Sequence, residues 1–145
     1  MDWIDFREIE FASPEYDECI QLRRKILKVP LGIEFTFSEL KDEWKQIHVA
    51  AYGIYKLLAC LVLEPINEHE IKMKQVAVDV SIQSRGIGTR LVQISEDLCK
   101  EKGYKKIVLN ARDTAIPFYL RLDYKKVGKQ FVEVGIPHYK MEKKL

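Results

Sequence analysis

The stretch Val76-Ala77-Val78-Asp79-Val80-Ser81-Ile82-Gln83-Ser84-Arg85-Gly86-Ile87-Gly88-Thr89-Arg90-Leu91 decides how the chain is read. An apolar strand runs into a short loop with two glycines, and the loop opens a helix. The helix carries apolar residues at Ile87, Leu91, Ile94 (or Val92) and Leu98 on one face, and Gly103 closes it. Free amides at a helix start, glycines that admit a ligand close to the backbone, and the positive end of the helix dipole together suit an anion such as a diphosphate. A purely structural turn fits the same residues, and both readings stay open at this point. Two other phosphate motifs are excluded. The G-K-[ST] of a P-loop is missing, and Gly86-x-Gly88 has no third glycine to complete a dinucleotide fingerprint.

Upstream, Ile71 to Val80 alternates as a strand, with Met73, Gln75, Ala77 and Asp79 on one face and Lys72, Lys74, Val76 and Val78 on the other. Ile47 to Tyr52 and Leu57 to Leu63, joined by a turn at Gly53, read as an antiparallel hairpin. Ile4 to Phe11 reads as a short strand. Ser13-Pro14-Glu15 opens a helix running to about Val29, ended by Pro30. Residues 31 to 45 read as loop with a short helical piece. Downstream, Lys106 to Asn110 is a strand, Thr114 to Leu122 a short helix, and Lys126 to Val134 and His138 to Met141 two closing strands. This order predicts an α+β (mixed α/β) fold built on a β-α-β core.

The 145 residues suit a single domain covering 1–145. With 47% hydrophobic and 32% charged residues, the composition excludes a disordered polymer, a collagen-like repeat and a disulfide scaffold. No apolar run approaches the roughly 18 to 20 residues of a membrane span, so no membrane partner is expected. Acids at Asp2 and Asp5 stand where a secretory signal would be basic, which points to the cytoplasm. Cys19, Cys60 and Cys99 lie far apart without C-x-x-C spacing, so they read as buried reduced thiols and no metal is expected. The net charge of +2 is unevenly spread. Residues 1–70 hold 8 Lys and Arg against 14 Asp and Glu, whereas residues 71–145 hold 16 against 8.

Gln83-x-x-Gly86-x-Gly88 after an apolar strand resembles the Q/R-x-x-G-x-G/A signature of the GNAT superfamily of acetyl-CoA-dependent acyltransferases. Leu109 to Tyr119 followed by Leu122-Asp123-Tyr124 resembles that superfamily's strand, its A-x-x-F-Y-x-x-L-G-F helix and the turn after it. The tail from Glu133 to Met141 is similar to the E-x-G-I-P-H-x-x-M ending of the small bacterial ElaA-like branch, and Leu22-Arg23-Arg24 through Pro30-Leu31-Gly32 is similar to its N-terminal part less specifically. The resemblance covers about half the chain in the right order. It implies a central mixed, mostly antiparallel sheet flanked by helices, acetyl-CoA as co-substrate, a small-molecule or protein amine as acceptor, and a homodimer as an expectation.

Residue by residue, the resemblance implies that the backbone of Val76, Ala77 and Val78 pairs with the pantetheine arm. Amides of Gln83, Ser84, Arg85, Gly86, Ile87, Gly88 and Thr89 would hold the diphosphate. Tyr119 stands where the family places a phenol near the CoA sulfur as general acid, and Ala115 and Phe118 line the cofactor. Arg112 holds a position where many relatives carry Asn or Gln to contact pantetheine, and Asp123 replaces the glycine of L-G-F.

Each of these residues also has a plainer reading. Tyr119 is otherwise a helix aromatic packed on the sheet. His138 is a possible general base or acceptor contact, although a histidine beside Pro137 more often serves a structural hydrogen bond, and the same holds for His48. Glu133, Glu64 and Glu34 are candidates for taking the amine proton, but exposed carboxylates are usually solvated. Arg85 and Arg90 flank the proposed phosphate site. The residues and the resemblance admit three functions: a direct-transfer N-acetyltransferase, a non-catalytic CoA-binding module, and a nucleic-acid-binding domain. The last is disfavoured because the basic residues lack interleaved aromatics. The charge division suggests a basic half meeting polyanionic CoA and an acidic wall of Glu34, Glu39, Asp42 and Glu43 meeting a cationic amine.

Overall fold

The computed structural model describes residues 3–145, so Met1 and Asp2 of the acidic N-terminus fall outside the described residues. Seven strands form one sheet: β1 (Asp5–Ile9), β2 (Ile47–Tyr52), β3 (Leu57–Pro65), β4 (Glu70–Val78), β5 (Lys106–Arg112), β6 (Lys125–Glu133) and β7 (Ile136–Lys144). Their order is β1-β2-β3-β4-β5-β7-β6. All neighbours are antiparallel except β4 and β5. A parallel pair needs a long crossover, and α3 (Ile87–Glu101) supplies it. The other helices are α1 (Pro14–Arg23), α2 (Phe37–Leu40) and α4 (Ile116–Arg121). The mixed, mostly antiparallel sheet expected from the sequence is present, and the Tyr52–Leu57 turn joins the expected hairpin.

The helix after Ser13 begins as predicted, with the Ser13 hydroxyl accepting from the Tyr16 amide at 3.1 Å and Pro14 in the first turn. Its regular part stops earlier than expected, at Arg23. Residues Arg24–Lys28 continue as a π-turn and Val29–Leu31 as a 3-10 turn that includes Pro30. The short helical piece expected within 31 to 45 is α2, fixed by a capping box between Thr36 and Glu39. At the other end, β7 runs past Met141 because Glu142, Lys143 and Lys144 pair in register with Val108, Ile107 and Lys106.

Both sheet faces are covered. On one, Ile87, Leu91, Val92 and Cys99 of α3 pack on Leu61, Leu63, Ile71, Met73, Ile107 and Leu109. On the other, Tyr16, Cys19 and Leu22 of α1 pack on Ile9, Ala50, Cys60 and Ala77. Each fully buried aliphatic side chain contributes about 1.5–3 kcal/mol. All three cysteines are buried and free. Burial pushes the Cys99 thiol up to about 12, which keeps it protonated.

The strict alternation read across 71 to 80 is broken. Cys60 faces Ala77 but Val62 faces Lys74, so Gln75 and Val76 together oppose Leu61, and Gln75 takes a left-handed φ of 55°. This is a β-bulge, and it reverses the faces beyond it. Met73 points into the α3-side core, Ala77 into the α1-side core, and Val76 and Val78 pack on the α3 side. Gln75 and Ala77 therefore do not share the Met73 face. The bulge also turns β4 away from β5, whose pairing covers only Glu70–Lys72 against Lys106–Val108.

Candidate functional site

Where β4 and β5 part, a cavity of about 510 Å³ opens. Met73 to Val76 of β4 and Leu109 to Arg112 of β5 form its sides, and Ala115 and Tyr119 close one end. The π-turn residues Ile26, Leu27 and Lys28 cover it from the α1 side, and Glu133, Val134 and His138 approach from the β6–β7 hairpin. An unpaired strand edge with its hydrogen-bonding groups turned into a cleft invites an extended ligand to add as a further strand. The edge here is Val78. Asp79 donates its amide to Leu58 on β3 at 2.8 Å, so alternation turns Ala77 toward Cys60 and both backbone groups of Val78 toward the splay. Ala77 itself stands opposite Cys60 of β3, and its side chain is buried under α1. The Val78 carbonyl accepts from Gln83 Nε2 at 3.0 Å, which ties the loop to the strand edge and leaves the Val78 amide as the group of that edge without a side-chain partner.

The loop itself is shaped by local chemistry. The Asp79 carboxylate accepts from the Ser81 amide at 2.9 Å and the Ser81 hydroxyl at 2.7 Å. Those bonds, with Lys56 nearby, hold its pKa at about 2. Ser84 (φ 67°) and Gly86 (φ 81°) take left-handed conformations, and Gly86 caps α3 without a side-chain hydrogen bond. The first bond closing the helix is Arg90 N–H to Gly86 O, so the amides of Ile87, Gly88 and Thr89 have no intrahelical partner. Gln83, Ser84, Arg85 and Gly86 are exposed, whereas the Ile87 side chain is buried and could offer a ligand only its amide. A methyl on Gly88 would meet Val78 at 3.5 Å and Phe118 at 3.7 Å, so these three predicted residues converge on one spot beside the helix start. Ordinary contact at those distances means the fold does not demand glycine at 88. Arg90, expected beside the phosphate, instead lies 4.8 Å from the Phe6 ring centroid on β1.

Tyr119 is buried at 7% exposure and lines the cavity, and its hydroxyl has no hydrogen-bond partner among the described residues. Burial pushes it up to about 12, so it remains protonated at neutral pH. Phe118 stands edge-on to it at 5.0 Å between ring centroids. Asp123, in place of glycine, adopts the left-handed φ of 71° that such a turn requires. Arg112 and Ala115 both reach the cavity, and Arg112 shares a sheet face with its register partner His138.

Among the proton-accepting candidates, the structure separates two groups. His138 and Glu133 both line the cavity, 3.5 Å apart at Nε2 and Oε2. His138 Nδ1 lies 2.7 Å from the Ile136 carbonyl. A carbonyl can only accept, so Nδ1 carries a proton and the neutral ring keeps its lone pair on Nε2. Glu64 pairs instead with Lys74 at 3.1 Å, and Glu34 with Arg24. His48 holds the Glu43 carbonyl at 2.9 Å under the sheet, and burial lowers its pKa.

The acidic wall does not exist as free charge. Glu39 binds Lys28 at 2.6 Å, Asp42 lies 3.7 Å from Lys45, and Glu43 is buried against Arg23. The last pair is bidentate, at 2.8 and 2.6 Å, and both residues are 1% exposed. Tyr16 donates to Glu43 at 2.7 Å, and Arg23 Nε lies 3.4 Å from Oε1 of Gln75, the bulge residue. Burial pushes the Glu43 carboxyl up, but the bonds from Arg23 and Tyr16 outweigh it and hold the pKa low. Arg23, Lys28, Lys72, Gln75 and Asn110 were not singled out by sequence. The only signal for the pair was Arg23 at an apolar-facing position of α1, which is visible once the helix is phased on Tyr16, Cys19 and Leu22. Among the described residues, no group of three or more His, Cys, Asp or Glu is placed to hold a metal, and no helix is long and apolar enough to cross a membrane.

A family model described as Acetyltransferase (GNAT) domain matches residues 39–145. The chain belongs to the GNAT acetyltransferase family. Bacillus subtilis YyaT is 31% identical over 141 residues, covering 92% of each chain. "Probable N-acetyltransferase 14" of Xenopus tropicalis is 32% identical over 88 residues, covering 58% of this chain and 43% of that longer protein. Among solved structures, an acyl-CoA N-acyltransferase from Pseudomonas aeruginosa superposes with a TM-score of 0.82 at 21% identity, covering 96% of this chain and 98% of that one. Escherichia coli ElaA has a TM-score of 0.82 at 17% identity, with coverage of 96% and 98%. A GNAT family acetyltransferase from Elizabethkingia anophelis with acetyl-CoA bound gives 0.74 at 20%, covering 100% of both chains. At these identities the superpositions speak for the shared fold, and the GNAT members among them include one holding acetyl-CoA.

Proposed function

We propose that this GNAT chain transfers the acetyl group of acetyl-CoA directly to a primary amine held in the β4–β5 cavity. The observation that carries the reading is Tyr119, a buried residue that lines the cavity at the strand splay, whose protonated hydroxyl has no hydrogen-bond partner among the described residues. The Val78 edge would take the pantetheine arm, with Val76, Ala115 and Phe118 around it. The amides of the Gln83 to Thr89 loop would take the diphosphate.

The amine nitrogen forms a bond to the thioester carbonyl carbon as the carbon–sulfur bond breaks. His138 Nε2, with Glu133 beside it, takes the proton the amine must lose. Tyr119 gives its proton to the departing thiolate, and a β4 amide stabilises the oxyanion. No cysteine takes part. Three buried free thiols suit a reducing compartment, which supports a cytoplasmic setting.

The test follows free thiol released from acetyl-CoA across an amine panel, for the natural protein and Tyr119→Phe. The general-acid role predicts a kcat lowered by roughly 10² or more with CoA affinity within twofold. An unchanged kcat removes the role, and CoA binding without thiol release for any amine would favour a non-catalytic CoA-binding module instead.

A further inference from the structure

Resting on the reading of this cavity as the acceptor site, we infer that the amine it accepts carries an anionic group, a carboxylate or phosphonate-type oxyanion, bound by Arg112, with Lys72 adding positive potential further along the cavity. Lys72 faces Val108 across the parallel pair, and β5 runs without a break from Val108 to Arg112 against β7. Lys72, Lys74, Asn110 and Arg112 therefore project from the same sheet face, and all four line the cavity.

Their charges are not all answered by the protein. Lys74 has Glu64 at 3.1 Å, and Lys28, which covers the cavity, has Glu39 at 2.6 Å. Glu133 is turned to His138 at 3.5 Å. Lys72 and Arg112 have no carboxylate within 4.0 Å among the described residues, and both are half-buried. A partly desolvated cation facing a cavity lacks the solvation it would have in water, and an incoming anion restores it.

Arg112 is the anchor, because its planar fork matches an oxyanion with two parallel hydrogen bonds. It stands in register with His138, so an anion on the fork sets a nearby amine beside the lone pair on Nε2. Lys72 lies roughly 13 Å further along the strands, counted at about 3.3 Å per residue, and adds positive potential from the other end. The same pair of charges repels a polycationic acceptor, which reverses the partner expected from the uneven charge of the sequence.

The experiment reads binding, not turnover. Protein saturated with CoA is titrated calorimetrically with matched amines: phenylalanine against phenethylamine, and 2-aminoethylphosphonate against ethanolamine. Each pair shares an amine and differs in the anion, and the two pairs distinguish a carboxylate from a phosphonate. At least one anionic member is expected to bind tenfold or more tighter than its counterpart. Arg112→Gln should reduce that preference below threefold, Lys72→Met should weaken it in part, and both should leave CoA affinity within twofold. Equal affinity within both pairs, tighter binding of the neutral-tailed members, or no binding of any of the four overturns the inference. So does a preference that survives both variants, or an Arg112→Gln protein whose loss falls on CoA. Failure of the acetyltransferase reading would show separately, as CoA that does not bind or thiol that is never released.

Discussion

Two polar regions meet at Gln75, and they are built in opposite ways. On one side, Arg23, Glu43, Tyr16 and His48 form a closed network in which each charged or hydroxyl group has a protein partner at 2.6–2.9 Å. On the other, the Tyr119 hydroxyl, Lys72 and Arg112 face a cavity without one. The closed cluster consists of groups from α1, the segment after α2 and β2, so it ties the covering elements to the bulged strand. It reaches the bulge through the 3.4 Å contact of Arg23 Nε with Gln75 Oε1, at the stretch where β4 no longer pairs with β5. Polar groups satisfied within the fold fix the shape of the site, and polar groups left open beside them are the ones available to substrate.

The largest break in this comparison comes from the closed side. Glu43→Gln leaves the Arg23 guanidinium buried without its counter-charge, and the expected loss is about 3–5 kcal/mol by urea denaturation. Replacing both members, as Arg23→Met with Glu43→Leu, should recover most of that. A single-variant loss under ~1 kcal/mol would mean the network is no more than a surface-type pair.

A smaller effect follows from pH. Glu43 has a lowered pKa, so its stabilisation is complete above the ordinary carboxylate range and is lost as pH falls through its folded value. Burial lowers the pKa of His48 as well, so the unfolded chain binds a proton near pH 6.5 that the folded chain refuses. Both make the urea midpoint fall on acidification, His48 first between about pH 7 and 5. His48→Gln should flatten that first part, and an unchanged slope would remove His48 from the account.

The smallest effect sharpens the open side. Val134 sits at φ 47° before Gly135 at 75°, a two-residue turn in which a β-branched residue is strained, and it lines the cavity. Val134→Asn should stabilise the protein by about 0.5–1 kcal/mol while changing the acceptor KM. A stabilised protein with unaltered KM would mean that the valine has no part in the cavity.

Much of the fold was legible because its signals are local. Ser13 caps α1 through a neighbour three residues away, Gly86 and Gly88 punctuate the start of α3, and Gly53 marks the hairpin. The bulge was illegible for the opposite reason. Residues 71 to 80 alternate without interruption, and Gln75 is not a residue type that announces a left-handed conformation. The extra residue exists only in relation to β3. The same holds for charge. Glu34, Glu39, Asp42 and Glu43 read as an acidic wall because their partners Arg24, Lys28, Lys45 and Arg23 become neighbours through the turns between α1 and β2. Arg112 could be placed at the cavity from its motif, but which face it takes follows from its register with His138.

The central claim is that the splay beside α3 receives acetyl-CoA, and calorimetric titration of acetyl-CoA into the natural protein and Gly88→Trp tests it most directly. A methyl group on Gly88 would stand at ordinary contact distance from Val78 and Phe118, so an indole there would extend into the space beside the helix start. The expected result is one acetyl-CoA per chain for the natural protein and affinity reduced at least tenfold in the variant, with its circular dichroism unchanged. No binding to the natural protein at millimolar acetyl-CoA, or equal binding by a folded Gly88→Trp, would contradict it.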